Sequence, residues 1–147
     1  MIRSIYRNLK FGIQNLIKYF KIIWNDRNWD HTFFLEIMRF KLNLISKEFS
    51  KVKHYEGWEE DVVNMKFALE ILDRLIAEDY ECPEQKEYYD EVLKNMNLTE
   101  MSNRTTEERK INLENLKKWA EYSEIEKQND YLDLFNILKE HLDKWWW

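Results

Sequence analysis

Residues 23–36, IWNDRNWDHTFFLE, bring two tryptophans, an arginine and a histidine into one short stretch. Arg39 and Lys41 follow within a few residues and add two cations. A guanidinium group pairs with phosphate and an indole stacks on a nucleobase, so these residue types suit a nucleotide-type anion. The alternative is structural: the tryptophans pack inside a helix corner while the cations face water.

Residues elsewhere in the chain extend this hypothesis. The predicted contact residues are Trp29, Arg39, Lys41, Arg74, His141 and Trp145. The cations would meet negative charge, the indoles would stack or anchor a partner, and His141 would donate a hydrogen bond. The chain ends in three tryptophans, and successive helical residues point about 100° apart, so one core stripe cannot bury all three. Because aromatic residues are enriched at interface hot spots, this ending favours a homo-oligomer, with a terminal staple on a small bundle as the alternative.

Catalytic and metal-binding chemistry has weaker support. Glu70 and Asp73 lie on one side of a predicted helix, a spacing typical of magnesium-binding helical nucleotide pyrophosphohydrolases, and Glu59 and Glu60 would supply a second set. Carboxylates at this separation usually belong to a solvated helix face. Cys82 lies in an acidic stretch where no cation activates its thiol. We therefore expect no cofactor, no metal and no enzyme activity, with a magnesium-dependent hydrolase as the alternative.

Composition predicts an all-α fold. The 147 residues include only 2 glycines and 1 proline, too few for the many tight turns of a sandwich or barrel. A chain of this length fits one domain, so residues 1–147 are predicted to form a single helical domain. The single cysteine allows no internal disulfide, which fits a reducing cytoplasm.

Charge is distributed unevenly along the chain. Residues 1–53 hold 11 Lys and Arg against 4 Asp and Glu, a net charge of +7, whereas residues 54–147 hold 12 against 24, a net charge of −12. The two parts can complement each other within a monomer or between subunits, or the basic part can keep charge for an anionic partner. The overall acidity and the lack of a DNA-binding motif predict no binding to DNA.

Apolar periodicity predicts five to six helices. Residues 2–24 carry one apolar stripe, and residues 30–53 and the segment from Trp58 to Ile76 repeat apolar positions every three to four residues. Two such segments joined near Gly57 predict a central antiparallel helical hairpin in a bundle. Asn28 or Asp30 would cap the second helix.

Later helices are delimited by local signals. Pro83 suits the first turn of a helix over residues 84–97, and Thr105 with Glu108 forms a capping-box pattern. Residues 106–142 form one helix or two, because Asn129 or Asp130 is able to cap a separate last helix.

The first helix has the character of an interfacial helix, because it is cationic and amphipathic. Any surface helix of a bundle has the same pattern, and we expect no membrane association. Its cations leave no continuous apolar leader, and no apolar run is long enough to span a bilayer. The expected location is the cytoplasm.

Several motifs together resemble a family of small, uncharacterised helical proteins of tailed bacteriophages. They are Trp29-Asp30 with Leu35, Phe40-Lys41-Leu42, Leu72-Asp73-Arg74-Leu75-Ile76, Asp79-Tyr80, and the ending His141 with Trp145-Trp146. The resemblance covers both ends and the hairpin, and residues 84–130 lie outside it. It implies expression in a bacterial host cytoplasm and brings no established activity.

The sequence thus predicts a non-enzymatic phage accessory protein. It would bind an anionic nucleotide-type ligand or a host protein, and so counteract host defence. A virion or assembly component without a small ligand is a further alternative.

Overall fold

The computed structural model describes residues 2–24, 31–52, 57–95 and 105–145, and these residues form helices and their connections. The helices are α1 (Ile2–Ile23), α2 (Thr32–Val52), α3 (Trp58–Ala77), α4 (Pro83–Asn95) and α5 (Thr106–His141). A short 3-10 helix, Leu142–Trp145, follows α5. The described residues contain no strand, and the predicted all-α bundle is confirmed.

Two compact units divide the chain, residues 1–72 and residues 73–147. The boundary falls inside α3, between Leu72 and Asp73. The single domain over residues 1–147 stays a prediction.

In the first unit, α2 and α3 are the two helices of the predicted hairpin, and they pack against each other. Leu35, Leu42 and Phe49 recur every seven residues on α2, and all three are buried. Val62 and Met65 are buried on α3. These positions belong to the predicted apolar pattern, so the periodicity identified the core face of both helices.

Gly57 precedes α3 with φ of 95°, a left-handed conformation that a residue with Cβ adopts only at a cost. Its carbonyl accepts a hydrogen bond from the Glu60 amide at 3.1 Å. The backbone conformation at this turn therefore explains why glycine is favoured at position 57. The capping roles predicted for Asn28 and Asp30 lie outside the described residues.

Helix α1 is present as predicted, but its main apolar stripe lies in solvent. Ile5, Leu9 and Leu16 are all more than half exposed. Among the α1 side chains that the structure describes, residues 3–23, those that are partly covered are Tyr19 and Ile22. Tyr19 packs edge-on against Phe40 of α2, with 5.0 Å between ring centroids.

In the second unit, α3 ends at a left-handed Glu78 with φ of 52°. Pro83 begins α4, as predicted from its position in the sequence. Thr105 and Glu108 form the predicted capping box at the start of α5, with the Glu108 carboxylate accepting from the Thr105 amide at 2.7 Å.

Helix α5 runs without a break for 36 residues, from Thr106 to His141. This settles the open question between one helix and two in favour of one. Leu134 and Trp145 are buried in this unit. Among the described residues, no helix combines the length and apolar character needed to cross a membrane.

Candidate functional site

A groove of about 710 Å³ lies between α4 and α5 in the second unit. Helix α4 supplies an acidic wall, because Glu84, Glu87 and Glu91 recur at a spacing of three and four residues and so share one face. Tyr88 extends the same face. Pro83 sets the first turn of α4, which fixes where this row of carboxylates begins.

Helix α5 supplies the opposite wall with Asn115, Lys118, Trp119 and Tyr122. These positions also recur every three to four residues, so a single face of α5 turns toward the groove. The capping box at Thr105 and Glu108 sets the start of this helix. The groove thus joins two helix faces that are each defined by local sequence signals.

Aromatic rings form the floor of the groove. The Tyr88 ring centroid lies 5.2 Å from that of Trp119. Outside the groove lining, the Tyr89 ring centroid lies 5.9 Å from that of Tyr88 and 6.4 Å from that of Trp119. The Tyr88 hydroxyl lies within hydrogen-bond reach of Asn112 Oδ1, at 3.4 Å. Trp119 is buried, which anchors the cluster in the fold.

The charge of the groove favours a cationic guest. Three carboxylates on α4 face one ammonium group, that of Lys118. Carboxylates pair with guanidinium and ammonium groups, and aromatic faces attract cations through the ring quadrupole. A phosphate group would instead meet three like charges. The groove is therefore suited to an arginine or lysine side chain rather than to a nucleotide.

A polar cluster of Arg74, Tyr80 and Asp130 holds the helices of this unit together. Arg74 donates from Nε to Asp130 Oδ2 at 2.9 Å and from Nη2 to Oδ1 at 2.6 Å. The Tyr80 hydroxyl donates to Asp130 Oδ2 at 2.8 Å. The three residues belong to α3, the following linker and α5, so the cluster connects three segments that are distant in sequence.

Burial and hydrogen bonding shift the titration of this cluster. Burial alone would raise the pKa of Asp130, but the hydrogen bonds from Arg74 and Tyr80 and the Arg74 charge outweigh it and lower that pKa. Burial, followed by the hydrogen bond to Asp130, raises the pKa of Tyr80. Asp130 is therefore a carboxylate, and Tyr80 a neutral phenol, at neutral pH.

Three further side-chain contacts hold the linker between α3 and α4. Ser123 Oγ donates to the Tyr80 carbonyl at 2.9 Å. Lys127 pairs with Glu78 at 2.9 Å, and this hydrogen bond raises the pKa of Lys127. Lys86 pairs with Asp79 at 2.9 Å, and its pKa is raised in the same way. These contacts position α4 and its glutamates beside α5.

The predicted site residues of the second unit take part in the fold. Arg74 is held by Asp130, and its side chain is 44% exposed. His141 stacks on Trp145 with 6.1 Å between ring centroids. Trp145 is 1% exposed, so direct contact with a ligand would require this segment to move. The contact roles of all three residues stay predictions.

The two described site residues predicted in the first unit, Arg39 and Lys41, lie on different sides of α2. Arg39 and Lys41 both lie on α2, where residues two positions apart point about 160° away from each other. Trp29 lies outside the described residues, and Trp24 is exposed at the end of α1. The nucleotide hypothesis stays a prediction.

The carboxylates of the hydrolase alternative lie on α3. Glu59, Glu60, Glu70 and Asp73 are all exposed. Among the described residues, no three His, Cys, Asp or Glu side chains are arranged to hold a metal ion. Cys82 is a buried thiol that lines the α4–α5 groove.

Sequence reasoning missed the α4–α5 groove. The spacing of Glu84, Glu87 and Glu91 beside Tyr88 was a usable signal, since it places three acids and an aromatic ring on one helical face. The matching face of α5 begins more than twenty residues later. Only the three-dimensional structure brings the two faces together.

Comparison with known proteins yields no relative: the chain matches no protein-family model, no curated protein and no solved structure. The fold and the groove are therefore interpreted from their own geometry.

Proposed function

We propose that the chain is a non-enzymatic binding protein whose α4–α5 groove holds a basic segment of another protein. The observation that carries this proposal is the row of Glu84, Glu87 and Glu91 above the aromatic floor of Tyr88 and Trp119. Arginine and lysine side chains have apolar stems that pack on aromatic rings while their charged ends reach carboxylates. The groove offers both kinds of contact side by side.

The dimensions of the groove agree with this use. Its volume of about 710 Å³ lies within the range of about 300–1,000 Å³ that is common for ligand sites. It accommodates one or two long side chains of a docked segment. The acidic α4 wall fixes the charge of the guest, and the aromatic floor selects for a long apolar stem.

The resemblance to tailed-phage proteins supplies the biological setting of the proposal. We propose a phage accessory protein whose partner is a host protein with an exposed basic segment. Occupying that segment would counteract a host defence activity that needs it. Homo-oligomerisation is compatible with this function and stays a prediction.

Isothermal titration calorimetry tests the groove. The probe is a ten-residue peptide alternating Arg and Leu, and the control peptide has Glu in place of Arg. We expect the basic peptide to bind with a Kd of about tens of micromolar and the acidic peptide not to bind, because short polar contacts yield modest affinity. Failure of the basic peptide to bind would contradict the proposal.

Matched variants locate the binding. Glu87→Gln with Glu91→Gln should weaken binding at least about fivefold, since two charge-assisted contacts are lost. The control Glu121→Gln with Asp133→Asn removes the same charge from exposed positions outside the groove. Equal weakening in both double variants would mean that net charge, not the groove, determines binding.

A further inference from the structure

Helix α1 presents an exposed apolar surface that the proposed function does not use. The α1 apolar stripe consists of Ile5, Leu9, Ile13, Leu16, Ile17 and Phe20, each between 49% and 72% exposed. At 100° per residue these side chains cover an arc of about 120°. Helix α1 has 22 residues, so the helix that carries the stripe is about 33 Å long.

The contacts of α1 within its unit come from another side of the helix. Tyr19, which packs on Phe40, points about 100° away from the centre of the stripe. Ile22, the other partly covered side chain among residues 3–23, points farther away still. The first unit therefore holds α1 by its minor apolar face and leaves the larger one in water.

All the charged side chains of α1 are positively charged. The helix contains five cations and no acidic residue. They are Arg3, Arg7, Lys10, Lys18 and Lys21. At 100° per residue they occupy an arc of about 80° directly beside the stripe. The surface is thus an apolar band with a cationic border that is interrupted between Lys10 and Lys18.

The sequence pattern alone favoured no membrane association, but because the stripe is exposed we propose that α1 binds an anionic lipid bilayer, lying in the plane of the membrane interface. A helix with one apolar face and a lysine- and arginine-rich border buries the apolar side chains at the headgroup boundary, while the cations meet lipid phosphates. Tyr6 and Trp24 lie at the edge of the stripe nearest the cations, and such amphipathic rings are favoured at headgroup depth.

Pairing of two α1 helices through their stripes explains the surface less well. In an antiparallel pair the cationic borders of the two helices would face each other, and the resulting repulsion has no acidic residue of α1 to offset it. In a parallel pair the cations would face Ser4, Asn8 and Asn15, which carry no charge. A surface of anionic phosphates complements the cationic border in either direction.

The bilayer test uses flotation of the full chain with vesicles. The vesicles contain either pure phosphatidylcholine or phosphatidylcholine with one quarter phosphatidylglycerol. We expect flotation only with the anionic vesicles, and a loss of binding as salt increases. Because the whole chain carries a net charge of −5, attraction to anionic vesicles must come from a local basic surface.

Stripe variants test the apolar part of the proposal. Leu9→Gln with Leu16→Gln should reduce binding to anionic vesicles at least about tenfold. The control Phe11→Gln removes an equally exposed apolar side chain on the opposite side of the helix and should keep binding within about twofold. All three positions are exposed, so these substitutions leave the folded core intact.

Charge variants test the cationic border. Lys10→Gln with Lys21→Gln should weaken binding on the order of twentyfold, because each cation near an anionic surface contributes about a factor of five. The control Lys47→Gln with Lys51→Gln removes the same charge from exposed positions on α2. Equal losses in the two pairs would overturn the proposal, since binding would then follow net charge.

Two further results would also overturn it. One is the absence of flotation at millimolar anionic lipid. The other is a concentration-dependent increase in size without lipid that Leu9→Gln with Leu16→Gln abolishes while vesicle binding is unchanged. The second result would assign the stripe to another copy of the chain.

Discussion

Helix α1 leaves its whole apolar stripe exposed, whereas helix α5 buries Trp119 and Leu134 and leaves other apolar residues, such as Leu132 and Phe135, in solvent. Leu16 of α1 is 59% exposed, whereas Leu134 of α5 is fully buried. Helix α5 is held by the Arg74–Tyr80–Asp130 cluster, and α1 meets its unit through Tyr19. Apolar periodicity therefore identifies a helix and its apolar face, but what covers that face depends on contacts distant in sequence.

Replacing one leucine by alanine in each of the two helices should give the largest difference in the free energy of unfolding. Leu134→Ala is expected to lower the free energy of unfolding by about 2–5 kcal/mol, because it leaves a cavity in a packed core. Leu16→Ala is expected to change it by less than about 0.5 kcal/mol, because the side chain is in water. Urea unfolding of both variants measures the difference, and equal losses would show that the α1 stripe is covered.

Removing the charge of Asp130 should have the next largest effect. Asp130→Asn weakens the contact with Arg74 and is expected to cost about 2–3 kcal/mol, less than a fully buried pair because Arg74 is partly exposed. Asp133→Asn, an exposed position on the same helix, should change stability by less than about 0.5 kcal/mol. Equal effects on urea unfolding would contradict a specific role for the cluster.

Lowering the pH should remove the contribution of Asp130 to the free energy of unfolding. Its folded-state pKa is lowered, so the stabilisation is fully present above the unfolded-state pKa of about 3.9 and is lost as the pH falls through the folded-state pKa. The stability difference between the native chain and Asp130→Asn should therefore be largest near neutral pH and shrink below about pH 4. A difference that stays constant between pH 7 and pH 3 would exclude this linkage.

Replacing the two glycines by alanine should change the free energy of unfolding in opposite directions. These changes should be the smallest of the predicted effects. Gly57→Ala is expected to destabilise by about 1–2 kcal/mol, because φ of 95° is strained for alanine. Gly12→Ala is expected to stabilise by about 0.5–1 kcal/mol, because alanine favours the helix and its Cβ meets nothing within 4 Å. Thermal unfolding compares them, and destabilisation by Gly12→Ala would indicate a close partner of α1.

Features specified by neighbouring residues were predictable from the sequence. The capping box of Thr105 and Glu108 needs only four consecutive residues, and Pro83 marks a helix start by its own geometry. Several buried positions of α2 and α3, including Leu42 and Met65, follow from their periodicity, whereas Ala68, Ile71 and Leu75 are buried outside the predicted pattern. Local chemistry therefore predicted the helices and much of the core.

Features that depend on distant partners were not predictable. Asp130 has the chemistry of a helix cap, but Arg74 and Tyr80, 56 and 50 residues away, take its carboxylate and α5 continues past it. The α4–α5 groove forms where one face of α4 lies beside one face of α5. No local sequence pattern predicts that these two faces pack together. Arg74 was predicted to bind an anion, and in the structure it pairs with the Asp130 carboxylate.

Thiol labelling of α1 tests the central claim that its apolar stripe is open in the protein and covered by an anionic bilayer. Single cysteines replace Leu9, Phe11 or the buried Leu35 in a Cys82→Ser background, and labelling rates are measured with and without phosphatidylglycerol vesicles. We predict that Leu9→Cys and Phe11→Cys react equally fast without vesicles and far faster than Leu35→Cys, and that vesicles slow Leu9→Cys alone. Labelling of Leu9→Cys as slow as that of Leu35→Cys without vesicles would contradict the claim.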